Sequence, residues 1–184
     1  MPQPLLEDRV LCSSRLDLEP LCEEHAALLY PGLADPALYT WIPKDPPVSV
    51  EALRSRYAKL KLRRSPTEAQ LWLNWACRHR AEDAYVGTVE VTIVPGGQAW
   101  MAYFVFASFQ RRGLGQEACT VALRYLYEEY QVKTVTLWID TRNYPSNALA
   151  RKLGFQQQRR IDSADFFKGS RSDEFVHTLK AKMS

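Results

Sequence analysis

Two glycines, Gly113 and Gly115, follow an aromatic run, Tyr103-Phe104-Val105-Phe106, and precede a segment in which Ala118, Val121, Ala122, Tyr125 and Leu126 recur at helical spacing. A strand, a connector and a helix in that order present successive backbone N–H groups at the positive end of a helix dipole. Glycine there lets backbone approach a ligand with no Cβ in the way. The chemistry that suits such a place is phosphate or pyrophosphate binding. A Walker loop requires Gly-Lys-Ser/Thr, which is absent. Gly113-x-Gly115-x-x-Ala118 has the letters of a dinucleotide fingerprint, but residues 107–112 separate it from its strand. Three strand-like segments also precede it, whereas the dinucleotide fold places that motif in its first βαβ unit.

Other residues of chemical interest lie on either side of this loop. Glu90 is an acid in a strand otherwise made of Val89, Val91, Ile93 and threonines; burial there raises a carboxyl pKa and suits a base. Asn143 and Ser146 open a short helix with Leu149 and Leu153 inside and Gly154 at its end, and Ser146 reads as its N-cap. Trp41 and Ile42 sit in a proline-punctuated loop, 35–47. Histidines 25, 79 and 177 and cysteines 12, 22, 77 and 119 are not at ligand spacing, so no metal is expected, and the cysteines read as buried free thiols.

The elements that must position these residues follow from periodicity. Short strand-like pieces at 10–12 and 15–18 precede a helix that Pro31-Gly32 should stop. Ser49 is placed to cap a second helix, with Val50, Leu53, Tyr57 and Leu60 inside and Arg54, Arg56, Lys59, Lys61, Arg63 and Arg64 on the other face. That basic face reads as solvated or as a patch for an acidic partner. Segments 70–78, 85–94 and 98–106 alternate as strands, with Pro95-Gly96-Gly97 turning between the last two. Strands at 135–139, 155–161 and 174–179 complete the chain, the second followed by an irregular loop. Three consecutive strands imply antiparallel pairing, and the crossover from Phe104 to Ile139 implies a parallel pair. The expectation is an α/β (α+β) mixed sheet with helices on both faces.

Gln110-x-x-Gly113-x-Gly115 resembles the Gln/Arg-x-x-Gly-x-Gly/Ala signature of the GNAT superfamily of N-acetyltransferases. The segment Asn143-Tyr-Pro-Ser146 through Leu153-Gly154-Phe155 is similar to that family's Asn-x-x-Ser…Leu-Gly-Phe segment. Arg15-Leu16-Asp17-Leu18-Glu19-Pro20-Leu21 and the ending Lys168-Gly-Ser-Arg-Ser-Asp173 resemble the RimJ/RimL-like branch, which acetylates N-termini of ribosomal proteins. The likeness runs from about residue 9 to 181. It implies a mostly antiparallel central sheet of six to seven strands. It implies acetyl-CoA as donor, with its pyrophosphate on Gln110, Arg111, Arg112, Gly113, Leu114, Gly115 and Gln116. The pantetheine arm would lie along Phe104, Val105 and Phe106, with Asn143 and Ser146 against it and no metal taking part. Direct attack of a primary amine on the thioester would then be served by Ser146 at the sulfur, Glu90 as base and Asn143 in support. Trp41, Ile42 and Tyr103 would line the acceptor pocket.

The chain departs from the family in two places. Ala150 stands where many relatives carry a tyrosine that protonates the leaving thiolate, and Trp100 where the branch often has a glutamate. Both leave open a catalytically weak acyl-CoA binder or sensor. The lack of an obvious strong base leans toward an α-amine, which deprotonates at neutral pH for about 1–1.5 kcal/mol against about 4.6 for a lysine.

Composition agrees with a globular chain. The 184 residues carry 24 basic and 21 acidic side chains, a net charge of +3 too mild to argue for nucleic acid. No apolar run approaches the ~20 residues that span a bilayer, and the first ten residues hold no signal-like apolar stretch. One acetyltransferase domain over 1–184 is expected, cytoplasmic, monomeric or homodimeric, with an amine-bearing small molecule or a protein N-terminus as partner, and neither nucleic acid nor membrane.

Overall fold

A computed structural model describes residues 8–181. Among the described residues eight strands form one sheet, β1 (Leu11–Cys12), β2 (Leu16–Pro20), β3 (Leu71–His79), β4 (Ala84–Val94), β5 (Gln98–Val105), β6 (Thr134–Asp140), β7 (Gln156–Phe167) and β8 (Ser170–Lys180). Their order is β1-β2-β3-β4-β5-β6-β8-β7. Every neighbouring pair is antiparallel except β5 and β6, which run parallel because a helix connects them. The count exceeds the six to seven that the resemblance implies because both short opening pieces join the sheet, as a hairpin.

Helices α1 (His25–Leu33) and α2 (Val50–Leu60) cover one face; α3 (Leu114–Glu129) and α4 (Tyr144–Lys152) cover the other. Alternation along the strands decides which side chains meet which helices. Val89 and Val91 of β4, Ala99 and Met101 of β5, and Val135, Leu137 and Ile139 of β6 pack toward α3 with Trp75, which is 1% exposed. Such burial contributes roughly 1.5–3 kcal/mol per large side chain. Leu29, Leu53, Tyr57 and Phe106 build the smaller core under α1 and α2.

Four local expectations need correction. Helix α1 does not stop at Pro31-Gly32 but continues to Leu33 with Pro31 inside it. Only Cys77 and Cys119 are buried; Cys12 is exposed and Cys22 half-buried, its thiol 3.0 Å from His25 Nδ1. The segment after residue 161 is not an irregular loop: β7 runs on to Phe167 through two register shifts and turns directly into β8. The basic face of α2 is partly consumed internally, since Arg63 is buried and donates to the Leu21 carbonyl, Lys61 pairs with Glu23, and Arg56 reaches Glu90.

One acid ties the first hairpin to α3. Glu117 accepts from the Ser13 and Ser14 hydroxyls and from the backbone N–H and guanidinium of Arg15, at 2.6–2.9 Å. Burial alone would raise its carboxyl, but these donors outweigh burial and bring it down to about 2. A depressed folded-state pKa contributes stability above the unfolded value, lost as pH falls through the folded one. Glu117→Gln is therefore expected to lower unfolding free energy by on the order of 2 kcal/mol at pH 7 in urea melts. The gap to wild type should close as pH falls from 5 to 2; parallel curves would deny the charge its role.

Candidate active site

The strands at the centre part company. β5 and β6 are in register only from Gln98 to Trp100, opposite Thr134 to Thr136. Beyond that, β5 keeps its partner β4 as far as Val105, and β6 keeps β8 as far as Asp140. Phe106 N–H donates to the Val86 carbonyl, so the backbone groups of Phe106, Phe104 and Ala102 turn toward β4. Those of Tyr103 and Val105 therefore turn into the opening. One is used, because Gln110 Nε2 donates to the Val105 carbonyl at 3.0 Å.

The glycine loop closes the wide end of this wedge. A 3-10 turn at Ala107–Phe109 leads to Gln110, and Arg111 (φ 59°) and Gly113 (φ 80°) both take left-handed backbone. Gly113 is the N-cap of α3 and provides no side-chain cap, so the first N–H groups of this helix face outward at the positive end of its dipole. Gly115 answers a different need: a Cβ there would lie 2.9 Å from Val105 Cγ2 and 3.4 Å from Leu149 Cδ2. Its absence lets α3 press against β5 and α4 together. Among the residues assigned to the pyrophosphate, Leu114 is buried and has only backbone to offer, and the Arg112 guanidinium pairs with Glu82 over the Phe109 ring. Arg111 and Gln116 are exposed. A groove of about 610 Å³ runs along α3 from Gly113 past Arg15 and Arg124, on the side away from the parted strands.

Helix α4 begins at the other side of the wedge. Its cap is Asn143, whose Oδ1 accepts from the Ser146 backbone N–H at 3.2 Å, so Ser146 is the third residue of the helix and not its cap. The Ser146 hydroxyl has no hydrogen-bond partner among the described residues. The Ser146 carbonyl accepts from the Tyr103 hydroxyl at 3.4 Å. The helix start is fixed by a buried network: Asn147 Nδ2 donates to the Asp140 and Asn143 carbonyls, and its Oδ1 meets His177 Nε2 at 2.8 Å. Neither Asn147 nor His177 was picked out in the sequence, since each looks like an ordinary helix or strand residue until the register of β8 is known. Ala150 is fully buried against the main core.

Glu90 lies on the opposite face. It is not a lone acid, since Arg56 stands 3.5 Å from both its oxygens. Its cross-strand neighbour Asn74 and its same-face neighbour Thr88 are 6% and 3% exposed, and each carries a buried polar atom without a partner. Trp100 and Trp138, both 42% exposed, meet edge to face at 5.8 Å across the point where β5 and β6 separate. Trp41 stacks under the Arg142 guanidinium, whose carbon is 4.9 Å from the ring centre. Arg142 in turn pairs with Asp140, whose carboxyl it holds below the usual range despite burial. Tyr103 is not brought together with Trp41 and Ile42: it sits on the α3 and α4 side, where burial raises its phenol well above the ordinary value. Among the described residues no group of three or more His, Cys, Asp or Glu could hold a metal, and no helix is long and apolar enough to cross a membrane.

Residues 15–156 match the family model of the acetyltransferase (GNAT) domain. The chain belongs to the GNAT family. None of the curated proteins matches its sequence. Among solved structures of the GNAT fold, the chain is similar to RimL, a ribosomal L7/L12 α-N-protein acetyltransferase in complex with coenzyme A, at 18% identity and a TM-score of 0.82 over 94% of this chain and 98% of that one. It is also similar to the ribosomal-protein-S5-alanine acetyltransferase of Vibrio fischeri, with 16% identity, TM-score 0.81 and coverage of 94% and 97%. A third is the microcin C7 self-immunity acetyltransferase MccE, in complex with acetyl-CoA and AMP, with 18% identity, TM-score 0.79 and coverage of 92% and 94%.

Because Asn143 rather than Ser146 caps α4, the two can be separated by mutation. Asn143→Ala is expected to cost about 1 kcal/mol in thermal or urea unfolding, and Ser146→Ala only a few tenths. Equal losses would return the capping role to Ser146.

Proposed function

We propose that this protein transfers the acetyl group of acetyl-CoA to a primary amine, by direct attack within a ternary complex. The observation that carries the reading is the parting of β5 from β6 in front of an uncapped helix N-terminus. The parted edge offers N–H and C=O groups of Tyr103 and Val105 to the amides of a pantetheine arm, which would lie there as a short extra strand. The loop from Gln110 to Gln116 offers the pyrophosphate backbone N–H groups and a favourable dipole. RimL and MccE, solved with coenzyme A and acetyl-CoA, lend support to this donor.

When bound, acetyl-CoA supplies the thioester carbonyl that an amine attacks. Ser146, its hydroxyl uncommitted and at the positive end of α4, donates a hydrogen bond that stabilises the departing thiolate. Asn143 orients that turn through its cap. Glu90, on the opposite face of the sheet, takes the proton of the attacking amine, directly or through one water. The thiolate group and the base thus stand on opposite sides of the wedge, with the thioester between them. Trp41 and Ile42 belong to the acceptor side; Tyr103 closes the donor side instead. The ribosomal-protein acetyltransferases among the similar structures favour a protein N-terminus as acceptor.

Binding of acetyl-CoA by calorimetry tests the donor. Gly113→Val, which forces a branched side chain into backbone at φ 80°, should weaken that binding at least tenfold in a variant whose circular dichroism is unchanged. An unaltered dissociation constant would remove the claim.

Transfer is measured with a peptide bearing a free N-terminal alanine. Glu90→Gln should lower kcat/KM by about 100-fold near neutrality, with the deficit shrinking above pH 8 as the amine loses its proton unaided. Wild-type rates from pH 6 to 9 would leave Glu90 a strand residue. Ser146→Ala should depress kcat more than it raises KM for acetyl-CoA.

A further inference from the structure

The tip of the β7–β8 hairpin is built against the usual rule. Phe167 pairs with Ser170, so the turn is the two residues Lys168-Gly169, and both have positive φ, 49° and 75°. Such a turn prefers asparagine or aspartate before its glycine, and a lysine in left-handed backbone is uncommon. An outlier of this kind points to a use for the side chain.

The use is visible. Lys168 Nζ donates to the carbonyls of Tyr39 at 2.6 Å, Ile42 at 3.0 Å and Lys44 at 2.9 Å, with Asp45 at 3.9 Å. An ammonium has three N–H donors, and here all three go to one loop more than a hundred residues away. That loop, between α1 and α2, is irregular beyond Tyr39, where its carbonyls have no ladder to join. Trp41 lies between the first two anchor points, and its ring is held independently by Arg142. Arg142 donates to Asp140 and to Ser170 Oγ, next to the same turn, and directly precedes Asn143. Two cations therefore fix the Trp41 loop to the start of α4 and to the hairpin tip.

We propose that Lys168 is a positioning residue for the acetyl acceptor, its ammonium holding the 39–44 loop and Trp41 in place over the acceptor side of the wedge. The inference rests on the acetyltransferase reading above and adds to it the residue that shapes the acceptor pocket. An arginine would not replace it, because a planar fork does not converge on three carbonyls as a point ammonium does.

Lys168→Met removes the charge and keeps most of the stem. Amide hydrogen exchange at residues 38–48 should quicken at least about tenfold, with α3 unchanged. The calorimetric dissociation constant for acetyl-CoA should stay within about twofold, while KM for a decapeptide with a free N-terminal alanine rises about tenfold and kcat holds within about threefold. Lys168→Cys treated with 2-bromoethylamine regenerates an ammonium of nearly the same reach, and should restore both exchange and KM relative to wild type treated alike. Unchanged exchange at 38–48, equal losses for peptide and acetyl-CoA, or failure of the aminoethylated variant to recover would overturn the proposal. A wild type that binds acetyl-CoA yet leaves the peptide unacetylated counts against the acceptor reading alone, and the role of Lys168 is then decided by exchange and its recovery.

Discussion

Beyond Trp100 the two central strands no longer bond to each other, and most of the architecture serves to keep them apart. An unpaired buried backbone group costs about 1–3 kcal/mol, so strands left to themselves would close the gap. Each is instead held by its outer neighbour, β5 by β4 and β6 by β8, along nearly its whole length. The N-terminus of α3 is seated against the edge of β5 at Gly115, and the first hairpin pins that helix through Glu117. On the far side, Asn147 and His177 fix the first turn of α4 to β6 and β8. The wedge is thus bounded by two helix starts, each with its positive end turned toward the opening.

The parting also separates two chemical environments. Toward α3 and α4 the surroundings are the glycine loop, the Tyr103 phenol and the free Ser146 hydroxyl. Toward α1 and α2 they are Glu90 with Arg56, the Trp100–Trp138 pair and the Trp41 loop. In the reaction proposed above, a donor and an acceptor entering from opposite faces would meet only where the strands have opened.

The loop, the succession of elements along the chain and the mixed sheet are legible because they rest on local signals: glycines between a strand and a helix, alternation in β3 to β5, and a helix long enough to force a parallel return. What stayed hidden depends on register. Asn143 takes the cap from Ser146 because Pro145 already falls within the first turn, and a serine three residues into a helix looks like a cap when only the sequence is read. Tyr103 does not join Trp41, because the parity of β5 turns its ring to the α3 and α4 face. The length of β7 was missed because its charged and polar residues carry no apolar alternation: nearly every one of its side chains is exposed. Lys168 reads in the sequence only as part of the closing Lys168-Gly-Ser segment, and only the fold brings the carbonyls of a distant loop to it.

The outer strands of the sheet complement its open centre. One edge is β1, two residues long, and the other is β7, broken by two register shifts and carrying Arg159, Arg160, Asp162 and Asp165. Short, bulged or charged edges are poor templates for another strand. A sheet with an unpaired run at its heart and blunted rims can thus display bare backbone to a small ligand while discouraging the strand-to-strand stacking that leads to aggregation.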